Sequence, residues 1–283
     1  MTVLEILLPA FVASLILTGI HAYLGVHVVE RGVIFVDLSL AQIAALGTTV
    51  AYLAGHDLHS GAAYLYSLGF TFLGAAIFAM TKVHRQTRIP QEAIIGIAYA
   101  VSAAVAILVM SKATQETEHL KEMLVGNILS VSWKELAKTA VLYSLVGIFH
   151  FIFRRRFLLI SMNEPEAERR GWNVRFWDFL FYVSFGFVVT SSVAIAGVLL
   201  VFCFLIVPSV TAMLFSEKLG ARLAIGWTMG AVVSAAGVTL SFTLDLPTGA
   251  TIVGTFGAAL LLLATIRWAT RRIAAANGTA AAD

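Results

Sequence analysis

Apolar stretches of 18 residues or more recur from one end of this 283-residue chain to the other. Each is long enough to cross a hydrocarbon core of ~30 Å. That feature removes most fold classes at once, because backbone polar groups in lipid must be satisfied inside helices or a closed barrel. The apolar runs are continuous and lack the ~10-residue alternating segments of a barrel, so helices are predicted. Only 12% of residues are charged, against roughly twice that in a soluble domain. The fold class expected is all-α: a polytopic helical membrane protein.

Nine spans are predicted, at 3–26, 33–54, 62–82, 92–110, 134–153, 176–192, 194–215, 220–243 and 248–268. The sixth and seventh come from one apolar run. It reads either as two spans joined by a tight turn near Ser191 and Ser192 or as one broken helix, so eight spans remain an alternative. The first span lacks a basic leader and is too long for a signal peptide, so it is expected to be retained. Residues 1–272 are read as a single transmembrane domain, and the small-residue stretch 273–283 as a disordered tail. The lone Cys203 cannot form an internal disulfide.

Charge sets the expected direction. With the N-terminus outside, 15 of the 19 Lys and Arg residues fall on one side, including every Arg. Lys112, Lys121, Lys134 and Lys138 fall on the other. Basic residues favour the cytoplasmic side, which predicts an external N-terminus and a cytoplasmic C-terminus in the cell (inner) membrane.

Enzyme signatures are missing from the sequence. It has no H-E-x-x-H, no G-x-S-x-G elbow and no G-x-x-x-x-G-K-[ST] phosphate loop. His56 and His59, with Asp57, read as a solvated outer turn. His27 and His150 read as interfacial, and His21 lies deeper, where it can face a cavity. "GWTMG", Gly226 to Gly230, has the small-xxx-small spacing of close helix packing. The segment "RRRFLLISMNEPEAERRGW" reads as a short polar helix on the cytoplasmic face. Asn163 caps it, Pro165 and Glu166 fill its first turn, Arg169 and Arg170 its last, and Gly171 stops it.

Taken in order, several segments resemble the permease of the manganese/zinc/iron-chelate ATP-binding-cassette (ABC-3) importers. They are "ERGVIFVDLSLAQIAALG", "EAIIGIAYAVSAAVAIL", "HLKEMLVGNILSVSW", "NEPEAERRGW", "GVLLVFCFLIVPSVTAMLFSEKL" and "LDLPTGATIV". The resemblance implies a type II-like importer permease for zinc, manganese or iron that is not itself an enzyme. It implies a homodimer and two cytoplasmic ATPase subunits, which bind ATP and dock on a coupling helix through Asn163, Glu164, Glu166, Ala167 and Gly171. It further implies an external or periplasmic metal-binding protein. No permanently bound cofactor is implied; the metal is cargo.

The chain departs from that family at one place. Typical zinc and manganese permeases carry Asp and His four apart in the early motif. Here Leu38 stands at the Asp position and Gln42 at the His position, with Asp37 about 100° around the helix. Gln is a poorer ligand than imidazole for a borderline cation. Asp37, Gln42 and His21 are the candidate metal-path residues, with Ser39 beside them. An intramembrane acid usually faces a cavity or a partner. Asp37 is therefore expected either to line the path or dimer axis, or else to pair with Arg31 or cap a helix start. The outer segment 111–134, with Glu116, Glu118, His119 and Glu122, either receives a docking protein or only packs. The functional alternative is a stand-alone, ion-coupled secondary transporter, which needs acids or broken helices near the midplane.

Overall fold

The computed structural model of the chain describes residues 3–57, 60–82, 89–111 and 128–279. Its elements are α1 (Val3–Glu30), α2 (Val36–Leu53), α3 (Gly61–Met80), α4 (Gln91–Met110), a 3₁₀ turn (Ile128–Ser130), α5 (Trp133–Ile152), α6 (Arg154–Met162), α7 (Glu164–Arg169), α8 (Val174–Phe215), α9 (Leu219–Thr243) and α10 (Thr248–Thr279). Eight of the described helices are long and apolar enough to cross a membrane, α6 and α7 being the exceptions. The helix of α10 continues to Thr279, into the stretch expected to be a tail.

Polar side chains mark where these helices begin. Ser60 accepts the Ala63 N–H at the start of α3. Ser132 and Glu135 form a reciprocal capping box on α5. Asn173 Oδ1 accepts the Phe176 N–H at 3.1 Å at the start of α8. Each cap satisfies a backbone donor that the first turn would otherwise leave without a partner.

The longest helix, α8, decides the topology. Its 42 residues would span about 63 Å if straight. Yet both ends lie at the same end of α1. Near the start, Asp178 pairs with Arg31. Just past the finish, the Ser216 carbonyl accepts from Arg222 Nε at 2.8 Å, and Arg222 also pairs with Glu30. The chain therefore folds back, and it does so at Gly197, where φ is 75° and ψ is 163°. That backbone region is essentially open to glycine alone. Each arm, 174–196 and 198–215, is long enough to cross, so eight continuous helices make nine passes.

The predicted turn at Ser191 and Ser192 is corrected by several residues. Both serines are helical, and their hydroxyls donate to the Val188 carbonyl at 3.0 and 2.6 Å. The two arms have different neighbours. In the first, Thr190 meets Thr71 of α3 at 3.1 Å, and Ser192 bonds Tyr143 of α5. In the second, Phe204 packs on Phe256 of α10, and the Leu214 carbonyl accepts from Arg267 Nε at 3.0 Å.

Small residues set the closest approaches, since lipid supplies no hydrophobic force between helices. A Cβ on Gly25 would collide with the Leu205 carbonyl oxygen. Gly226 faces Ala22 and Pro208, and Gly230 sits directly against Thr18. The "GWTMG" spacing is thus the α1–α9 seam, which the Trp227 indole closes by donating to the Gly19 carbonyl at 3.0 Å.

Candidate functional site

On α2 the candidate residues divide between two faces. Gln42 is half-buried, on a stripe with half-buried Leu38, Leu46 and Val50 that runs between exposed Phe35 and Leu53. Asp37 and Ser39 are 1% and 0% exposed. Neither alternative partner for Asp37 holds. Arg31 pairs with Asp178 instead, and α2 has no side-chain cap at its start. Both Asp37 carboxylate oxygens and Ser39 Oγ are buried without a hydrogen-bond partner.

A neighbouring feature was not anticipated from the sequence. Glu92 Oε1, in the first turn of α4, accepts the Phe35 N–H at 2.9 Å and ties the starts of α2 and α4 together. Gln91 Nε2 donates to the Phe78 carbonyl at 3.0 Å. Gln91 Oε1 and Glu92 Oε2 are themselves buried and unpartnered. Buried acceptors are normally satisfied, so this oxygen-rich junction calls for an explanation. Its signal in the sequence was "PQEAII", an amide and an acid at the mouth of a span.

The histidines lie elsewhere. His21 is fully buried; Nδ1 donates to the Leu17 carbonyl at 2.7 Å and Nε2 faces Ser192 Oγ at 3.3 Å. It belongs to the α1–α5–α8 interior, and no hydrogen bond joins it to Asp37 or Gln42. His27 and His150, expected at the interface, are each 1% exposed. His27 Nδ1 meets Ser161 Oγ at 2.8 Å, His150 Nε2 meets Ser184 Oγ at 2.8 Å, and the His150 ring stacks on Phe157. A hydroxyl thus meets one nitrogen of each ring, while His27 Nε2 is buried without a partner. Among the described residues no group of three or more His, Cys, Asp or Glu is placed to hold a metal. His56 lies on the loop after α2; His59, Glu116, Glu118, His119 and Glu122 fall outside the described residues.

The predicted polar helix is α7, and its boundaries follow from its caps. Asn163 Oδ1 accepts the Glu166 N–H at 3.2 Å, and Gly171 ends the turn at φ 72°. Ala167 is fully buried and anchors one side. The other side is charged: Glu166 pairs with Arg169 at 2.6 Å and Arg170 at 2.9 Å, and both arginines are largely exposed. Hydrogen bonds from Arg170 and then Arg169 hold the Glu166 carboxyl below the usual carboxylate range. A lowered folded-state value means these pairs are present at neutral pH and lost as pH falls through it. A carboxyl-carbon NMR titration should place the Glu166 midpoint below that of a free glutamate side chain; an equal or higher midpoint contradicts the pairing.

Residues 3–267 match the ABC 3 transport family. The chain belongs to that family. Among curated relatives, the chain is similar to the manganese transport system membrane protein MntC of Listeria innocua, 29% identical over 244 residues, covering 86% of this chain and 84% of the relative. Another is the chelated iron transport system membrane protein YfeC of Yersinia pestis, 28% identical over 205 residues, covering 70% and 69%. The fold resembles that of PsaBC from Streptococcus pneumoniae, solved in complex with a Fab, with a TM-score of 0.76 at 23% identity. That match covers 91% of this chain and 90% of the other.

Family membership settles the choice left open by the motifs. This ABC 3 chain is a multi-pass membrane permease of an ABC importer and not a stand-alone secondary transporter. Within that frame, α2 and the start of α4 supply buried, unpartnered carboxylate and amide oxygens, and α7 supplies a capped, charged helix at the end of the bundle.

Proposed function

We propose that this permease carries a divalent metal ion, or a chelate of one, across the cell membrane as half of a homodimer. Two cytoplasmic ATPase subunits dock on α7 and hydrolyse ATP, and an external binding protein delivers the cargo. The N-terminus is outside and the C-terminus cytoplasmic. The naming of curated relatives as manganese and chelated-iron systems favours those cargoes over zinc.

The observation that carries the reading is Asp37. A carboxylate in a span, buried and without a partner, is costly unless something positive visits it. A passing cation meets that need, and the starts of α2 and α4, tied by Glu92 to the Phe35 N–H, hold further unpartnered acceptors on Gln91 and Glu92. Oxygen ligands suit manganese better than zinc, which prefers imidazole and thiolate. Gln42, on the half-buried stripe of α2, faces the path between two copies. His21 is left to hold α1 against α8. The clustering of Arg31, Lys82, Arg169, Arg170, Arg222 and Arg267 at one end of the bundle supports the orientation.

The test is uptake of manganese, iron and zinc into proteoliposomes holding the permease with its ATPase. ATP-dependent entry of manganese or iron is expected. Glu166→Lys, which places a third cation beside Arg169 and Arg170, should reduce it several-fold. Full-rate uptake by the permease alone without nucleotide overturns the assignment.

A further inference from the structure

We propose that Asp178 is the buried hub through which movement of α7 reaches the membrane helices, with Lys82 as the link and Arg31 as the anchor. The inference rests on the reading of α7 as the ATPase-docking element.

Asp178 is fully buried in the first arm of α8. One oxygen takes Arg31 Nη1, just past the end of α1, and the other takes Lys82 Nζ, just past the end of α3. Lys82 Nζ continues outward to Glu164 Oε2 at 3.1 Å, the first residue of α7. A second strand of contacts starts from Arg31. Its Nε donates to Ser161 Oγ at 2.8 Å, and Ser161 lies on α6, one residue before the turn into α7. The same hydroxyl meets His27 Nδ1, one helical turn deeper on α1. The Arg31 guanidinium also lies over the Phe181 ring, 4.1 Å from its centroid. Thus α8 and the residues just past α1 and α3 meet at one carboxylate, and α6 and α7 join it through Arg31 and Lys82.

The charges explain why this convergence matters. Two cations and two carboxylates balance, but Asp178 is buried and Glu164 is 39% exposed. The inner pairs bury the Asp178 carboxylate fully, so breaking either leaves a desolvated charge short of a partner; the outer pair reaches the surface. A cavity of about 560 Å³ opens beside it, lined by Arg31, Lys82, Ser161, Glu164 and Tyr182. Glu164 therefore has room to move while Asp178 does not. A push on α7 is transmitted through Lys82 to Asp178, and from there to α1 and α3. Arg31, Lys82, Glu164 and Asp178 act as positioning residues.

Asp178→Asn leaves two cations with one anion fewer and risks unfolding the chain, so the decisive variants lie at the outer pair. Lys82→Gln, Glu164→Gln and the double variant are each reconstituted with the ATPase, and metal transported per ATP hydrolysed is measured. Each single change should lower that ratio several-fold. The double change should lower it no further than Lys82→Gln alone, because that change already severs the Lys82–Glu164 contact along with Lys82–Asp178. Unchanged ratios, or losses that simply add, overturn the hub. Glu166→Lys, on the outward side of α7, serves as the reference. If it lowers the ratio while Lys82→Gln and Glu164→Gln do not, α7 docks the ATPase but force travels by another route. If none of the three alters ATPase association or uptake, the docking reading falls and the hub falls with it.

Discussion

Gly197→Val is expected to leave little folded, transport-competent protein. The reversal of α8 rests on one residue at φ 75° and ψ 163°. A side chain in that region costs about 1–3 kcal/mol from backbone strain alone, and a β-branched one is the least tolerant. The surroundings offer no relief, since Ala196 is fully buried and Val198 is 4% exposed. The alternative available to the chain is a straight helix, which would carry Arg222 away from Glu30 and Phe204 away from Phe256. Thermal unfolding in detergent, followed by size-exclusion chromatography, should show a large loss of monodisperse protein. Gly19→Ala is the control, because a Cβ there meets nothing within 4 Å. A Gly197→Val protein as stable as Gly19→Ala would mean that α8 does not fold back at this residue.

Asp37→Leu should do the opposite to stability while removing transport. The substitution replaces a buried, unpartnered carboxylate with a side chain the surrounding helices prefer. Relief of an unsatisfied buried polar group is worth about 1–3 kcal/mol, so the melting temperature should rise. Uptake should fall at least about tenfold, which corresponds to roughly 1.4 kcal/mol in the barrier. Both readings come from the same purified permease, assayed alone for stability and with its ATPase for uptake. Asp37→Asn should lie between the two. Wild-type uptake by Asp37→Leu would remove this residue from the path, and a lowered melting temperature would mean that its carboxylate is satisfied in the fold.

The candidate site was only partly legible in the sequence. Asp37 stood out because a carboxylate in an apolar run is expensive wherever its partner lies. What it faces was not legible. Arg31, six residues earlier, is the nearest cation in sequence, yet it spends its charge on Asp178, 147 residues away. The acceptors of Gln91 and Glu92 were hidden for a related reason. An amide and an acid after a proline read as a solvated helix start until tertiary packing places them against α2. The histidines misled in the other direction. His27 and His150 sit near span ends in the sequence, but both are buried, and Ser161 and Ser184 reach them from other helices.

Local chemistry was enough to determine the spans, the cap and stop of α7, and the small-residue seam between α1 and α9. Each depends on residues close together in the chain: continuous apolar length, an Asn before a Pro, and glycines four apart. The length of the run that forms α8 predicts two passes; only the tertiary structure placed the turn at Gly197 rather than at the serines before it. A glycine in an apolar run is equally compatible with a straight helix, and the choice between them lies in contacts with α1, α3, α5 and α10 from far along the chain. The same holds for the Asp178 hub: Arg31 and Lys82 meet it directly and Glu164 through Lys82, all from different segments brought together only once the bundle has closed.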